Sequence, residues 1–282
     1  MPKVVPDNLA VIVITYNPDE NLAELLSKCN RLSRRIVVVD NNSVNKDWIR
    51  EISATTGAVC ILNPENSGIG KAINIAINHL DRQQISWVVT FDQDSLPPDD
   101  LLASYNYVLD KERNAGLIGI NFYPHEPLDI MSKYDYRESL DQITSGLLHN
   151  VAIFDVAGLY NEKLFIDCVD FEYSLRVKKS GFKTLMIDNC FLHHTIGNPK
   201  NMLIWPFKIQ SMNHSSFRQY YIVRNHIWLA KKYFKSFPKY IIDKFYHLFI
   251  RLAKTVLIDD DKKNKMRQIA RGVKDGFISN MD

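Results

Sequence analysis

The sequence predicts an α/β fold in which helices flank a mostly parallel central sheet. In the first 120 residues or so, short apolar segments alternate with longer amphipathic ones. The short segments are almost entirely apolar, which is typical of parallel strands buried on both faces. With 282 residues, 46% hydrophobic and 24% charged, the chain has a globular composition and is long enough to bury a substantial core.

Five strands and four helices are predicted in this first part. The strand candidates are apolar segments rich in β-branched residues, namely Ala10–Thr15, Ile36–Asp40, Ala58–Leu62, Trp87–Phe91 and Leu117–Asn121. The helix candidates between them are Asn21–Arg31, Asp47–Thr55, Gly70–Leu80 and Asp99–Glu112. Asp19 and Pro97–Pro98 are start signals for the first and last of these helices.

The middle of the chain is less regular. It contains candidate strands and one clear helix, Asp170–Ser180, which Gly181 ends from the C′ position. Beyond it the sequence becomes aromatic and basic. We therefore expect a sheet domain over residues 1–203, with halves of about 1–121 and 122–203, and a helical region over 204–282.

Charge is divided unevenly along the chain. Residues 1–199 hold 18 Lys and Arg against 26 Asp and Glu, a balance of −8, whereas residues 200–282 hold 17 against 6, a balance of +11. This asymmetry predicts that the second part meets an anionic surface, although a solvated basic face would give the same count. The four cysteines are scattered without a Cys-x-x-Cys pair, which indicates a reducing compartment and argues against a zinc site.

The segment Tyr240–Ile258 predicts a helix with one narrow basic stripe. The stripe consists of Lys244, His247, Arg251 and Lys254, and these charges are too frequent for a helix that spans a membrane. The helix either lies in a membrane interface or packs on the sheet domain. In the first case aromatic side chains would anchor it, namely Trp228, Tyr233, Phe234, Phe237 and Tyr240.

The most informative segment is Trp87–Ser95, an apolar strand that runs into two carboxylates. Asp92 and Asp94 are two residues apart, so they can point the same way where the strand ends. Two such carboxylates suit a divalent cation that carries a substrate phosphate. An isolated Asp-x-Asp is more often a polar loop in which the acids cap the next turn.

The other predicted strands also end in polar residues. Thr15-Tyr16-Asn17 follows the first strand, Asp40-Asn41-Asn42-Ser43 the second, and Asn66-Ser67-Gly68-Ile69-Gly70 the third. Because ligands bind at the carboxyl ends of the strands in open α/β sheets, four such segments at one edge predict a pocket. Glycines at 68 and 70 would let the backbone approach a ligand, with the following helix start facing an anion or ribose.

These segments together resemble a known family. IVITYN, VVVDNNS, NSGIGKAIN, TFDQDS, DCVDFEYSLRVKKSGF and HHTIGN occur in that order, as in inverting family 2 glycosyltransferases of the GT-A fold. The resemblance covers roughly residues 8–230 and is strongest to bacterial L-rhamnosyltransferases of surface-polysaccharide assembly. It implies a Rossmann-like sheet domain with a nucleotide-binding half and an acceptor half.

The resemblance also implies a donor site. Asp40 would hydrogen-bond a pyrimidine base, Asp92 would lie near ribose and metal, and Asp94 would bind Mg²⁺ or Mn²⁺. His194 would complete the metal site, although the adjacent His193 leaves the register open. The remaining substrate-binding residues that it implies are Thr15, Tyr16, Asn17, Asn66, Gly68, Gly70, Asn74, Gln93, Glu172 and Arg224.

The resemblance places the catalytic base at Asp170. Relatives carry Glu-Asp-x-Asp ahead of a Leu-x-x-Arg pattern, whereas this chain has Val169 at the residue before Asp170, and Asp167 is an alternative for the missing acid. Glu172 is the flanking acid. Read without the resemblance, acids at a helix start simply favour the helix dipole.

The function that the resemblance implies is transfer of L-rhamnose from dTDP-L-rhamnose to a lipid-linked or oligosaccharide acceptor. The resemblance further implies that the protein acts at the cytoplasmic face of the bacterial plasma membrane, as a peripheral protein. Its product would be O antigen, capsule or cell-wall polysaccharide. UDP-galactofuranose or another UDP-hexose remains an alternative donor.

Other classes of protein are alternatives to a glycosyltransferase. An Asp-x-Asp phosphatase and a sugar nucleotidyltransferase would explain fewer of the motifs. The non-enzymatic alternative is a module that binds anionic membranes or nucleic acid. The sequence contains no nucleic-acid-binding motif, so we do not expect a nucleic-acid partner.

Overall fold

The computed structural model describes residues 1–123, 134–194, 200–204 and 207–281. The chain divides into two compact units. The first, called the sheet unit, comprises Met1–Glu162 and Asp170–Thr195. The second, called the helical unit, comprises Lys163–Val169 and Ile196–Asp282.

The first 123 residues alternate between strands and helices as predicted. The elements are β1 (Leu9–Thr15), α1 (Asn21–Leu32), β2 (Arg35–Asp40), α2 (Lys46–Thr55), β3 (Val59–Leu62), α3 (Ile69–His79), β4 (Trp87–Asp92), β5 (Ser95–Leu96), α4 (Leu101–Leu109) and β6 (Ala115–Tyr123). Helix α4 is shorter than predicted. Its first turn closes with the Leu101 N–H donating to the Pro98 carbonyl, and it ends where the N–H groups of Lys111 and Glu112 both donate to Val108.

Three more strands complete the sheet. The further elements of this part are β7 (Tyr136–Glu138), β8 (Leu147–Asn150), α5 (Ala152–Val156), a 3₁₀ turn (Glu162–Leu164), α6 (Val169–Lys179) and β9 (Lys183–His194). Helix α6 confirms the predicted helix to within one residue at each end. Gly181 follows it with a φ of +92°, a conformation that glycine adopts without strain.

Within the described residues the sheet has nine strands, in the order β3-β2-β1-β4-β8-β6-β9-β5, with β7 paired to β9. The β1–β2, β1–β4, β2–β3 and β6–β9 pairs are parallel, which confirms the mostly parallel sheet. Strand β8 is antiparallel to both β4 and β6. The strands β1, β2, β4 and β6 therefore run in the same direction, and their carboxyl ends lie at one edge.

The core lies on both faces of this sheet. All seven residues of β1 are buried, as are the first five of β4. Helix α1 buries Leu22, Leu25, Leu26 and Cys29 against one face. Burial of both faces explains why these strands read as continuous apolar segments and not as alternating ones.

The helical unit contains a hairpin and three long helices. They are β10 (Lys200–Ile204), β11 (Phe207–Ser211), α7 (Ser216–Tyr233), α8 (Pro238–Ile258) and α9 (Lys262–Ile278). Ser215 caps α7 by accepting a hydrogen bond from the Arg218 N–H at 3.3 Å. None of the helices in the described ranges is long and apolar enough to cross a membrane.

Two of the predicted interface anchors are wrong. Trp228 is 6% exposed and Tyr233 1% exposed, so neither can contact a membrane surface. The Trp228 ring stacks instead against the guanidinium group of Arg224, 4.0 Å from the ring centroid. Phe234, the next aromatic along the chain, is 49% exposed.

Close packing of α7 against α9 depends on two glycines of α9. A Cβ atom at Gly272 would lie 2.6 Å from the Tyr220 carbonyl oxygen, and one at Gly276 would lie 2.9 Å from Ile227 Cβ. Both distances are shorter than a van der Waals contact. The two helices therefore approach each other more closely than any larger residue at these positions would allow.

We expect Gly272→Ala to destabilise the protein although alanine is the better helix former. The gain in helix propensity is about 1 kcal/mol, whereas overpacking against a backbone carbonyl costs about 1–3 kcal/mol. Urea unfolding should show a net loss of about 1 kcal/mol. Lys274→Ala, at an exposed position of the same helix, is the control. A Gly272→Ala variant as stable as that control would contradict the close approach.

Candidate active site

A buried carboxylate joins the first two strand ends. Asp40 is 0% exposed. Its Oδ1 accepts a hydrogen bond from Thr15 Oγ1 at 2.8 Å and another from Ser43 Oγ, and its Oδ2 accepts from the Ser43 N–H at 2.8 Å. Ser43 Oγ in turn accepts from the Asn17 N–H at 2.7 Å. The turns that follow β1 and β2 are thus fixed to each other.

Asn17 and Asn42 give these two turns their shape. Both have a positive φ, 51° and 65° respectively, a conformation that asparagine adopts more readily than most residues. The Asn17 side chain accepts a hydrogen bond from the Val44 N–H at 2.9 Å. Tyr16 and Asn17 are exposed at the edge of the sheet, where they are available to a ligand.

A second network links β2 to the start of α3. Asn63 Nδ2 donates to Asn41 Oδ1 at 2.9 Å, and Ser67 Oγ donates to the same oxygen at 3.2 Å. Gly68, just before α3, has φ +84° and ψ 169°, a conformation open essentially to glycine alone. Its N–H donates to Asn66 Oδ1 at 3.1 Å.

The start of α3 presents backbone N–H groups to the same edge. No side chain within the described ranges caps this helix start. The first N–H groups of a helix have no partner within the helix and favour an anion. The predicted role of this segment toward a nucleotide stays a prediction, with a local geometry that suits it.

Gln93 ties the turn after β4 to the turn after β1. Its Oε1 accepts from the Tyr16 N–H at 2.6 Å, and its Nε2 donates to the Tyr16 carbonyl at 3.2 Å. Asp92 is the last residue of β4, and its N–H donates to Ser145 Oγ at 3.1 Å. The strand ends of β1, β2 and β4 therefore form one connected polar edge.

The structure describes part of the predicted metal site. Asp92 and Asp94 are both partly buried at the end of β4. Ser95 pairs with the backbone of His194 across β5 and β9, while the His194 side chain lies outside the described residues. The described part of the chain contains no group of three His, Cys, Asp or Glu side chains that could hold a metal. Two carboxylates and an imidazole are nevertheless a donor set that Mn²⁺ accepts.

Asn74 has contacts inside the protein. Its Nδ2 donates to the Tyr160 carbonyl and to Glu162 Oε1, both at 2.9 Å, and its Oδ1 accepts from the Tyr160 N–H at 2.9 Å. It is 3% exposed. The side chain thus connects α3 to Tyr160 and to the first residue of the 3₁₀ turn. Its predicted contact with substrate stays a prediction.

A buried polar pair connects this segment to β4. The Tyr160 hydroxyl lies 2.6 Å from His149 Nε2, and His149 Nδ1 lies 3.1 Å from the Val88 carbonyl oxygen. Burial lowers the pKa of His149 to about 4, so the ring is neutral at neutral pH. Nδ1 then donates to Val88 and Nε2 accepts from the tyrosine.

The two acids of α6 occupy different environments. Glu172 is 0% exposed and forms a bidentate ion pair with Arg176, with N–O distances of 3.1 and 2.8 Å. Arg176 also donates to the Ala157 carbonyl at 2.6 Å. Asp170 is only partly buried, at the second residue of the helix. Its negative charge contributes to raising the pKa of Tyr160, after the larger effect of burial.

Arg224 lies in the helical unit and is 8% exposed. Its Nη2 donates to the Lys163 carbonyl at 2.7 Å and to Asn225 Oδ1 at 2.8 Å. Asn225 Nδ2 donates to the carbonyls of Leu164, Ile166 and Asp167 at 2.8–2.9 Å.

These hydrogen bonds stabilise a turn in which three residues have a positive φ, namely Phe165, Asp167 and Cys168. The predicted role of Arg224 toward a substrate stays a prediction.

The sequence indicates the position of Asn41 and Ser43 at this edge, because both lie in the polar segment after the second predicted strand, but it does not indicate their hydrogen bonds. Asn63, Ser145, His149 and Tyr160 act through contacts between distant segments, and no local pattern indicates them.

The fold is that of the α/β proteins, a class in which ligands bind at the carboxyl ends of the strands, where this polar edge lies. The profile of the family described as Glycosyl transferase family 2 matches residues 10–154, which is more than half of the chain. The protein therefore belongs to glycosyl transferase family 2 and is a glycosyltransferase.

The chain is also similar to individual glycosyltransferases. A protein named dTDP-rhamnosyl transferase RfbF, from Shigella flexneri, is 29% identical over 286 residues, which cover 94% of this chain and 93% of that protein. The mannosyltransferase PcManGT from Pyrobaculum calidifontis, solved with GDP-Man and Mn²⁺, is 14% identical with a TM-score of 0.58, over 98% of this chain and 90% of that one. GalNAc-T7, solved with UDP, GalNAc and Mn²⁺, is 12% identical with a TM-score of 0.62, over 96% and 56%. These two structures confirm the GT-A fold.

We expect Glu172→Gln to destabilise the protein by about 3 kcal/mol, since it leaves the Arg176 guanidinium without its buried counter-charge. Asp155→Asn is the matched control. It breaks an ion pair with Arg82 in which Asp155 is 71% exposed, and such pairs contribute about 0–1 kcal/mol. Urea unfolding of both variants measures the difference. Equal stability of the two would show that the Glu172–Arg176 pair is not structural.

Proposed function

We propose that this glycosyltransferase moves L-rhamnose from dTDP-L-rhamnose to a saccharide acceptor, with inversion at the anomeric carbon. The observation that carries the choice of donor is the similarity to the Shigella flexneri dTDP-rhamnosyl transferase, which extends over 94% of the chain. The match also covers 93% of that protein. A UDP-hexose is the alternative donor, since UDP accompanies GalNAc-T7, a protein that shares the fold.

The donor would bind at the polar edge of the sheet. The nucleoside would lie against the turns that Asp40 holds together, where Tyr16 and Asn17 are exposed. The diphosphate would lie between the start of α3 and Asp94. In this proposal Asp40 acts first by shaping the pocket, because three donors of the protein already occupy its carboxylate.

Asp94 and His194 would hold a divalent cation, Mg²⁺ or Mn²⁺, with Asp92 close to it. Mn²⁺ accompanies the donor nucleotide in the PcManGT structure, and carboxylate oxygens at the end of β4 suit such a hard cation. When bound, the cation offsets negative charge on the departing diphosphate. Asp94 lies between β4 and β5, and β5 pairs with β9, the strand that ends at His194.

Asp170 would act as general base. In a single displacement, the acceptor hydroxyl gives its proton to the Asp170 carboxylate while its oxygen bonds to the anomeric carbon. The bond from that carbon to the diphosphate oxygen breaks, and its electron pair leaves with dTDP. Because one attack from the face opposite the leaving group suffices, no nucleophilic side chain is needed.

The environment of α6 favours Asp170 over Glu172 for this role. The Glu172 carboxylate is fully buried and both its oxygens bind Arg176. Asp170 is partly exposed, so an acceptor hydroxyl can approach it. A base must come within about 3 Å of the hydroxyl that it deprotonates.

The acceptor would be a lipid-linked saccharide at the cytoplasmic face of the bacterial plasma membrane. Two features support this. Residues 200–282 carry a net charge of +11, and α8 leaves large apolar side chains exposed, with Ile242, Tyr246 and Phe249 at 60%, 63% and 72%. Apolar side chains beside basic ones are typical of proteins that lie on an anionic membrane.

We expect Asp170→Asn to lower the rate of dTDP release from dTDP-L-rhamnose about 10²–10⁴-fold, the usual contribution of a general base. The affinity for dTDP should change less than threefold, because the side chain lies outside the proposed nucleotide site. Asp155→Asn is the control for loss of one surface charge. Unchanged turnover in Asp170→Asn would refute the assignment.

We expect Asp94→Ala to weaken binding of Mn²⁺ in the presence of dTDP at least tenfold, since loss of one metal-bound carboxylate removes a charged ligand. Electron paramagnetic resonance of free Mn²⁺ measures this directly. Asp99→Asn, at an exposed position two residues before α4, should bind Mn²⁺ as the unchanged protein does. Equal affinities in all three proteins would place the metal elsewhere.

A further inference from the structure

A cavity of about 280 Å³ lies within the helical unit. It is bounded by the end of β11, the loop that follows it, α7 and α8. Most of the residues that line it are polar or basic, and those that matter here are Asn213, His214, Gln219, His247, Arg251 and Lys254.

Three of the four residues of the basic stripe of α8 line this cavity. His247, Arg251 and Lys254 follow one another at spacings of four and three, so they share one side of the helix, and all three line the cavity. Ile242, Tyr246 and Phe249, on another side, are 60–72% exposed. A surface helix of a soluble protein normally shows the reverse arrangement.

Arg251 brings an uncompensated charge to the cavity. Within the described residues its guanidinium makes no hydrogen bond or ion pair. Asp167 and Asp259 act on it from a distance, but Asp167 binds Arg218 at 2.9 Å and Asp259 binds Lys265 at 2.9 Å. Burial lowers the pKa of Arg251, although a guanidinium remains charged in proteins. A partly buried cation of this kind favours an anionic ligand.

Gln219 adds an acceptor to the same cavity. Its side chain is 1% exposed, and its Oε1 has no hydrogen-bond partner in the described structure. Its Nε2 donates to Thr255 Oγ1 at 3.1 Å. Because a buried acceptor without a donor is costly, the cavity suits a ligand that carries hydroxyl groups as well as negative charge.

We propose that this cavity binds a phosphate ester with free hydroxyl groups, of the kind found in the glycerophosphate head group of an anionic lipid. The phosphate oxygens would accept hydrogen bonds from Arg251 and Lys254, and a hydroxyl of the ligand would donate to Gln219 Oε1. The exposed apolar side chains of α8 make a bilayer the expected source of the ester. A soluble phosphate ester offers the same chemistry.

The test compares two double variants with equal loss of charge. Arg251→Gln/Lys254→Gln changes the cavity, whereas Lys263→Gln/Lys274→Gln removes two exposed charges of α9. Each protein is titrated with glycerol 3-phosphate by calorimetry and sedimented with vesicles of phosphatidylglycerol in phosphatidylcholine, and with phosphatidylcholine alone. We expect the cavity variant to bind at least tenfold more weakly than the unchanged protein, as loss of charge-assisted hydrogen bonds requires, and the α9 variant to stay within about threefold.

A third variant tests the hydroxyl contact. The unchanged protein should bind glycerol 3-phosphate more tightly than inorganic phosphate, and Gln219→Met should remove that preference. Circular dichroism establishes that each variant is folded.

Binding to the soluble ester but not to vesicles would support the cavity as a binding site and make a soluble ester its ligand. Failure of the folded unchanged protein to bind either probe, or equal losses in both double variants, would overturn the proposal. None of these readouts depends on the donor site or on activity.

Discussion

The buried carboxylate of Asp40 is the constraint on which the active-site edge depends. A carboxylate without exposure must have donors inside the protein, and Asp40 finds three, from Thr15 at the end of β1 and from Ser43 in the turn after β2. Satisfying that charge fixes the two turns in one arrangement. Ser43 extends the constraint to Asn17, and the neighbouring Asn41 extends it to Asn63 and Ser67. The sheet thereby presents rigid turns where a donor would bind.

The same logic separates the two acids of α6. Both carboxylate oxygens of Glu172 accept hydrogen bonds from Arg176, so this ion pair has a structural role within the helix. Asp170, two residues earlier in the helix, is only partly buried. Ahead of the helix, Asn225 donates to three carbonyls of the turn that contains Phe165 and Asp167. Those hydrogen bonds offset the cost of its left-handed residues.

Much of the sheet could be predicted from the sequence because strands buried on both faces are continuous apolar segments. Strand β8 (LLHN) could not, since four residues with a histidine show no strand period, and only its pairing with β4 and β6 defines it. The polar ends of β1, β2 and β4 were predictable from their position after each strand. Their mutual hydrogen bonds were not, because Gln93 and Asn63 act on residues far away in the chain. In α8 the basic stripe was evident, but periodicity alone cannot tell which side of a helix faces inward.

The measurement that tests the central claim most directly is calorimetric titration of the unchanged protein with dTDP, UDP and GDP, each in Mn²⁺ and in EDTA. The account predicts that dTDP binds most tightly, that Mn²⁺ strengthens binding, and that EDTA weakens it. Preference for UDP would keep the polar edge as the donor site and replace the rhamnosyl donor by a UDP-hexose. A folded protein that binds none of the three nucleotides would contradict the assignment of the donor site.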